Sequence, residues 1–90
     1  MKQVFTIRVA NKSNVGSVAG AIVKALDDKK DVEIITIGAG AVNQTVKAII
    51  TAQGILATKG LELVSKFGFA TVDVADEQRT AIRVFLKVQG

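Results

Sequence analysis

The chain has 90 residues, with 12 lysines and arginines against 8 acidic residues, so its formal net charge is +4. This length predicts a single domain over residues 1–90. The sequence has no His and no Cys, which removes disulfides, the usual zinc ligands and the Ser-His and Cys-His forms of nucleophilic catalysis. We therefore expect a protein that is not an enzyme, uses no metal or cofactor, and has a basic surface suited to a polyanionic partner.

Apolar residues make up 49% of the sequence but aromatic residues only 4%, so Val, Ile, Leu and Ala must fill the core. A domain of this size leaves much surface exposed, and we expect a homodimer or higher homo-oligomer to bury more of it. No apolar run approaches the ~18 residues of a membrane span, and the alternating, charged first residues are unlike a signal peptide. These features predict a cytoplasmic protein with no membrane partner.

The first half of the sequence predicts two strand–helix units. Residues 3–9 alternate between apolar and polar, as in a half-buried strand. A polar loop at residues 11–14 then precedes apolar residues at helical spacing from Val15 to Leu26. After a charged turn, residues 32–37 form a nearly continuous apolar strand, which is typical of a sheet centre. The Gly38-Ala39-Gly40 turn ends this strand, and a second helix is predicted over residues 41–57.

The second half predicts two strands joined as a hairpin. Residues 61–74 form a long strand that we expect to be interrupted by a bulge or bend at Gly68. A polar turn leads into a last strand over residues 79–88, with Val84 facing inward and Phe85 outward. The order βαβαββ predicts an α/β fold of two layers, two helices over a four-stranded mixed sheet. Right-handed crossovers would make the first three strands parallel neighbours, with the last strand antiparallel to the third.

Polar and basic residues follow the carboxyl ends of the first two strands. In parallel strands these loops emerge on one edge of the sheet, where ligands of open α/β sheets bind. The backbone amides of the helix starts could meet phosphate there, and a parallel third strand would bring the hairpin tip to the same edge. The residues predicted to contact nucleic acid are Lys12, Asn14, Gly38, Gly40, Asn43, Gln44, Lys47, Arg79 and Arg83.

Other uses of this edge are less well supported by the residues. The glycine turn could bind a nucleotide, but Asn43 stands where a dinucleotide fingerprint requires its third glycine. The absence of Trp and Tyr argues against a stacking platform for single strands. Three acidic residues near the hairpin tip, Asp73, Asp76 and Glu77, would repel phosphate.

Three segments resemble the stage V sporulation protein S (SpoVS) family. Residues 13–21 resemble its N-S-V-A-G-A segment, residues 37–49 its I-G-A-G-A-x-N-Q-x-V-K-A core, and residues 77–82 its E-E-R-T-A-I stretch. The similarity covers nearly the whole chain in order. It implies an Alba-like fold with strand order 1-2-4-3 and an antiparallel fourth strand.

The resemblance also implies a function. Alba proteins are small basic dimers that bind DNA or RNA through a lysine-rich loop after strand one and an Arg-Gly-Arg loop after strand two. By position, Lys12 lies in the first loop and Gly38-Ala39-Gly40 in the second, where both arginines are absent. The resemblance thus implies a nucleic-acid-binding regulatory protein, linked to sporulation or developmental regulation, that depends on assembly to bind usefully. The missing arginines and the acidic hairpin leave an alternative open, a protein–protein interaction module with no direct nucleic-acid contact.

Overall fold

The protein forms one four-stranded mixed sheet and two helices. The structure, a computed structural model, describes residues 2–90. Its elements in chain order are β1 (Val4–Val9), α1 (Val15–Asp27), β2 (Asp31–Thr36), α2 (Ala39–Ala57), β3 (Glu62–Val74) and β4 (Glu77–Gln89). The strand order is β1-β2-β4-β3, with β1 parallel to β2 and the other two pairs antiparallel. The predicted βαβαββ order is confirmed, and so is the order 1-2-4-3 that the family resemblance implied.

One expectation about strand neighbours was wrong. The strand β3 runs in the same direction as β2, but β4 lies between them, so the first three strands are not adjacent. The burial of the two hairpin strands gives a physical reason. Val84 and Leu86 of β4 are completely buried, as a central position requires, whereas β3 is exposed over most of its length and suits the outer position.

The two faces of the sheet differ in what covers them. Both helices pack on the face that carries Val32 and Ile34 of β2 together with Val84 and Leu86 of β4. We call the other side of the sheet the open face, and its side chains alternate with the buried ones along each strand. Its central residues are Arg8 of β1, Glu33 and Ile35 of β2, Arg83, Phe85 and Lys87 of β4, and Lys66 and Gly68 of β3.

The predicted interruption at Gly68 was also wrong. The strand β3 pairs with β4 in one unbroken register from Glu62 to Val74, with Gly68 directly opposite Arg83. A Cβ added at Gly68 would meet no atom within 4 Å, so no close approach requires this glycine. An outer strand with a full ladder on one side keeps its direction without a bulge, and the glycine leaves open space beside Arg83.

The hairpin extends well beyond the rest of the sheet. The last residue of β2, Thr36, pairs with Ile82, so residues 70–81 project past it as a two-stranded arm. Five residues per strand at about 3.3 Å each give this arm a length of roughly 17 Å. Its turn is formed by Ala75 and Asp76, whose φ angles of 50° and 63° match the tight hairpin turns that follow strand twist.

Neither helix within residues 2–90 has the length and apolarity that a membrane crossing requires.

Candidate functional site

The loops after β1 and β2 contact each other directly. A Cβ built on Gly40 would overlap the side chain of Asn11, so the absence of a side chain at Gly40 is what lets the first loop pack on the start of α2. A second contact joins the same two segments, because Gln44 Nε2 donates a hydrogen bond to the Ser13 carbonyl at 2.9 Å. These contacts confirm that both loops emerge together, and we call residues 10–14 and 38–44 the loop edge.

The first loop is a short, hydrogen-bonded turn. The Ala10 amide donates to Ser13 Oγ at 2.8 Å, and the Ser13 amide donates to the Ala10 carbonyl at 3.0 Å. Asn14 begins α1 as its N-cap, with Oδ1 accepting from the Ser17 amide at 2.9 Å, as the polar loop predicted. Lys12 lies exposed in this turn and forms no ion pair with any residue from 2 to 90. Its ammonium group is therefore presented to solvent by an ordered loop.

The start of α2 differs from the start of α1. Gly38 is the N-cap, with a φ of 92° that favours glycine, and no side chain caps the helix. The helix begins at Ala39, two residues earlier than predicted, because Gly40 is accommodated in its first turn against Asn11. The first amides of a helix lack carbonyl partners within it and lie at the positive end of its dipole. At α2 these amides face the loop edge without a capping side chain, a geometry suited to an anion.

The remaining predicted residues lie at different distances from this helix start. Asn43 is exposed on α2 close to the loop edge, whereas Gln44 is half-buried by its bond to Ser13. Lys47 is exposed about 12 Å along the helix from Ala39. Arg79 is exposed on the arm, which projects from the same end of the sheet, as predicted for a parallel third strand. The loop edge and Arg79 thus share one end of the domain, whereas Lys47 lies about halfway along α2.

Arg83 lies on the open face rather than at the loop edge. Its Nε atom is 3.5 Å from Glu33 Oε2, and its guanidinium carbon lies 4.5 Å from the centre of the Phe85 ring. The Thr6 hydroxyl donates a hydrogen bond to the other Glu33 oxygen at 3.2 Å. The structure therefore separates Arg83 from Lys12 and places it beside a carboxylate that offsets its charge.

The tip of the arm is acidic. Asp73, Asp76 and Glu77 are all exposed, and none of them forms an ion pair within the described part of the chain. Arg79 lies on the same arm, three residues after the turn and opposite Val72. The arm therefore carries three acidic residues at its tip and one arginine beside them, whereas residues 10–14 and 38–44 carry Lys12 and no acid.

An exposed apolar surface was missed by the sequence analysis. Phe69 and Phe67 of β3 are 80% and 57% exposed, and Ile50 and Val46 of α2 are 66% and 39% exposed. The two phenylalanines share the helix-covered side of the sheet, but α2 leaves them uncovered. The signal was present in the alternation of Phe67 and Phe69 along β3, although their exposure depends on where α2 lies in space. We call these four residues the apolar patch.

Residues 2–90 contain no group of three or more Asp and Glu side chains placed to hold a metal ion.

Two comparisons with known proteins bear on the arrangement as a whole. The family model described as Stage V sporulation protein S (SpoVS) matches residues 5–89. The structure is similar to that of Alba from Thermoplasma volcanium, with a TM-score of 0.62 and 10% sequence identity over 96% of this chain and 100% of that chain. At this identity the structural likeness shows an Alba-like fold.

Proposed function

This chain belongs to the stage V sporulation protein S family, and from that membership we propose that it is a non-enzymatic regulatory protein that binds DNA or RNA. The family match and the fold make it a sporulation-related, Alba-like protein. The observation that carries the proposal is the contact between the uncapped start of α2 and the loop that presents Lys12. Backbone amides and an unpaired ammonium group at one edge are suited to successive phosphates of a nucleic-acid backbone.

The proposed contacts are with phosphate and sugar rather than with base edges. Lys12, Lys47 and Arg79 would neutralise phosphates, and the amides that follow Gly38 and Gly40 would donate to phosphate oxygens. Asn43 would hydrogen-bond the backbone or sugar, while Asn14 and Gln44 would hold the two segments in place through their bonds to Ser17 and Ser13. Binding of this kind tolerates any sequence and weakens as salt rises.

We propose that a second copy of the chain covers the apolar patch. Gln53 of α2 accepts a hydrogen bond from the Leu63 amide of β3, so the helix that carries Ile50 and Val46 packs beside the strand that carries Phe67 and Phe69. Lys47 is the only charged residue of α2, so docking here requires little desolvation of charge. A homodimer would bury Phe69 and Ile50 and would carry two loop edges, which raises affinity for a continuous polyanion without any new contact.

The test is equilibrium binding to duplex DNA and to RNA across a salt series. We expect affinity to fall steeply with salt and Lys12→Ala to weaken binding several-fold for all sequences alike. The matched control is Lys24→Ala, which removes the same charge from the last turn of α1, at the far end from the loop edge. No binding at about 50 mM salt, affinity indifferent to salt, or equal losses in the two variants would contradict the proposal.

A protein–protein interaction module is the second candidate, favoured by the exposed acidic tip of the arm at Asp73, Asp76 and Glu77. It predicts a partner that is captured from cell extract after nuclease treatment and is lost when these three residues are changed to Asn, Asn and Gln. Loss of every partner on nuclease treatment would reject this candidate and favour nucleic-acid binding.

A further inference from the structure

The open face of the sheet presents one aromatic ring at its centre. Phe85 lies on β4, an inner strand, directly between Glu33 of β2 and Lys66 of β3. Arg83 and Lys87 flank it on the same strand and the same face, because side chains two residues apart point the same way. Phe85 is half-buried, so part of its ring remains accessible on a face that no helix of residues 2–90 covers.

The ring and its neighbouring arginine form an ordered pair. The Arg83 guanidinium carbon lies 4.5 Å from the centre of the Phe85 ring, and Arg83 Nε is 3.5 Å from Glu33 Oε2. The other oxygen of Glu33 accepts a hydrogen bond from the Thr6 hydroxyl. The Arg83 side chain is still 42% exposed, so it keeps an outward surface. Nucleic-acid bases stack on aromatic rings and on arginine guanidinium planes alike. The pair is therefore a preformed surface for one base.

The space and charge beside this pair suit the rest of a nucleotide chain. Gly68 lies opposite Arg83 and leaves the β3 side open, where a groove is lined by Lys66, Gly68, Arg83 and Phe85. A neighbouring groove is lined by Lys66, Phe85, Lys87 and the acidic Asp31, whose carboxylate is paired with Lys2 at 3.5 Å. Neither Lys66 nor Lys87 forms an ion pair with a residue between 2 and 90, whereas Glu33 is already paired with Arg83. Positive charge is thus in excess on both sides of the ring.

We propose that the open face binds single-stranded nucleic acid, with one base stacked on the Arg83–Phe85 pair and the adjacent phosphates contacting Lys66 and Lys87. The partner must be single-stranded, because the bases of a duplex are stacked on each other and offer no free face to a flat sheet. An aromatic platform flanked by cations is the arrangement that single-strand binding uses. This surface is separate from the loop edge. The absence of Trp and Tyr had argued against a stacking platform, but Phe85 provides an aromatic ring for one.

The experiment measures fluorescence anisotropy of labelled 12-nucleotide oligouridine RNA, oligothymidine DNA and an abasic strand of the same length. We expect Phe85→Leu to weaken binding to both base-containing strands by roughly 5- to 150-fold, which is the range for loss of one base–aromatic stack. Phe85→Tyr retains a ring and should bind within about twofold of the unmodified protein. The abasic strand should bind the unmodified protein as weakly as the thymidine strand binds Phe85→Leu.

The matched control is Phe5→Leu, because Phe5 is also 41% exposed and has a cation, Lys30, 5.9 Å from its ring centre. It lies on the helix-covered side of β1, so we expect it to leave single-strand affinity unchanged. Thermal unfolding of each variant shows whether it is folded, so that a loss of stacking can be told apart from a loss of folding. Binding by Phe85→Tyr is a second check, because this variant keeps a ring at the same position. A preference for RNA over DNA in the two base-containing arms would identify which strand the platform selects.

Three outcomes would overturn the platform. Equal affinity of Phe85→Leu and the unmodified protein for oligothymidine would do so, as would equal affinity for the abasic strand. The third is a loss of self-association in Phe85→Leu without a loss of single-strand binding, which would make the open face an interface between copies. None of these outcomes would by itself contradict nucleic-acid binding at the loop edge. That proposal is tested separately, by whether duplex binding weakens in Lys12→Ala.

Discussion

The loop edge and the open face are both basic, but they are built from different parts of the chain. The loop edge consists of backbone amides and turn residues, held together by the packing of Asn11 on Gly40 and the bond from Gln44 to Ser13. The open face consists of strand side chains that sheet register brings together, with Phe85 at its centre. The first can contact a repeating backbone, and the second can contact an unpaired base.

The two regions also differ in how their charges are balanced. At the loop edge, Lys12 is exposed and has no acidic partner among residues 2–90. On the open face, Glu33 pairs with Arg83 and holds it over Phe85. Substitutions at the loop edge should therefore change the salt dependence of binding, whereas substitutions on the open face should change its dependence on bases.

The largest expected effect comes from Gly40→Ala, which tests the loop edge as a packed unit. The added Cβ would overlap Asn11, and overpacking of this kind costs about 1–3 kcal/mol of unfolding free energy. Urea unfolding should show this loss, and Asn11→Gly in the same chain should restore most of it. Duplex binding should weaken with Gly40→Ala while single-strand binding at Phe85 persists under conditions where the variant is folded.

Gly54→Ala is the control for that substitution. Gly54 lies in the same helix, but a Cβ there meets nothing within 4 Å. Alanine is the better helix former, so we expect a gain of about 0.5–1 kcal/mol in unfolding free energy. Similar stability changes at Gly40 and Gly54 would contradict the packing of the two loops against each other.

A smaller effect is expected from Asn14→Ala, which separates structural support from direct contact. Loss of the bond from the Ser17 amide should cost about 1 kcal/mol of unfolding free energy, and Asn14→Ser should restore it. If Asn14 acts only as a cap, duplex affinity measured below the unfolding transition will be the same in the alanine variant, the serine variant and the unmodified protein. A loss of affinity shared by both variants would show that the asparagine itself contacts nucleic acid.

The smallest effect is expected from Glu33→Gln on the open face. The carboxylate and Arg83 form a partly exposed pair, so unfolding free energy should change by less than about 1 kcal/mol. Removing the negative charge should raise affinity for oligothymidine by up to about fivefold, the equivalent of such a pair. Duplex affinity should stay constant, and a gain of the same size for duplex would remove the distinction between the two regions.

The patterns that predicted the fold were local ones. Alternation in residues 3–9 and the apolar run in residues 32–37 correspond to β1 and β2, and helical spacing from Val15 corresponds to α1. The position of β4 between β2 and β3 came from the family resemblance, because alternation shows which side chains share a face but not which strands are neighbours. The expected bulge at Gly68 was wrong because a glycine in an outer strand can also leave space for a neighbouring side chain.

The candidate site was predictable only in part, for the same reason. The meeting of the two loops followed from parallel strands, and the structure confirms it through Gln44 and Ser13. The separation of Arg83 from Lys12 could not be predicted, because it depends on the register between β2 and β4. The exposure of Phe67 and Phe69 likewise depends on where α2 lies over the sheet, a relation between elements distant in sequence.

The central claim is that the loop edge and α2 neutralise phosphates, and the salt dependence of duplex binding tests it most directly. The measurement compares the slope of log affinity against log salt for the unmodified protein and for Lys12→Ala combined with Lys47→Ala. We predict that the slope falls by about 1 for each cation removed, so by about 2 per bound chain. The combination of Lys24→Ala and Lys59→Ala, at the far ends of the helices, should leave it unchanged. An unchanged slope in the Lys12 and Lys47 variant would contradict the account.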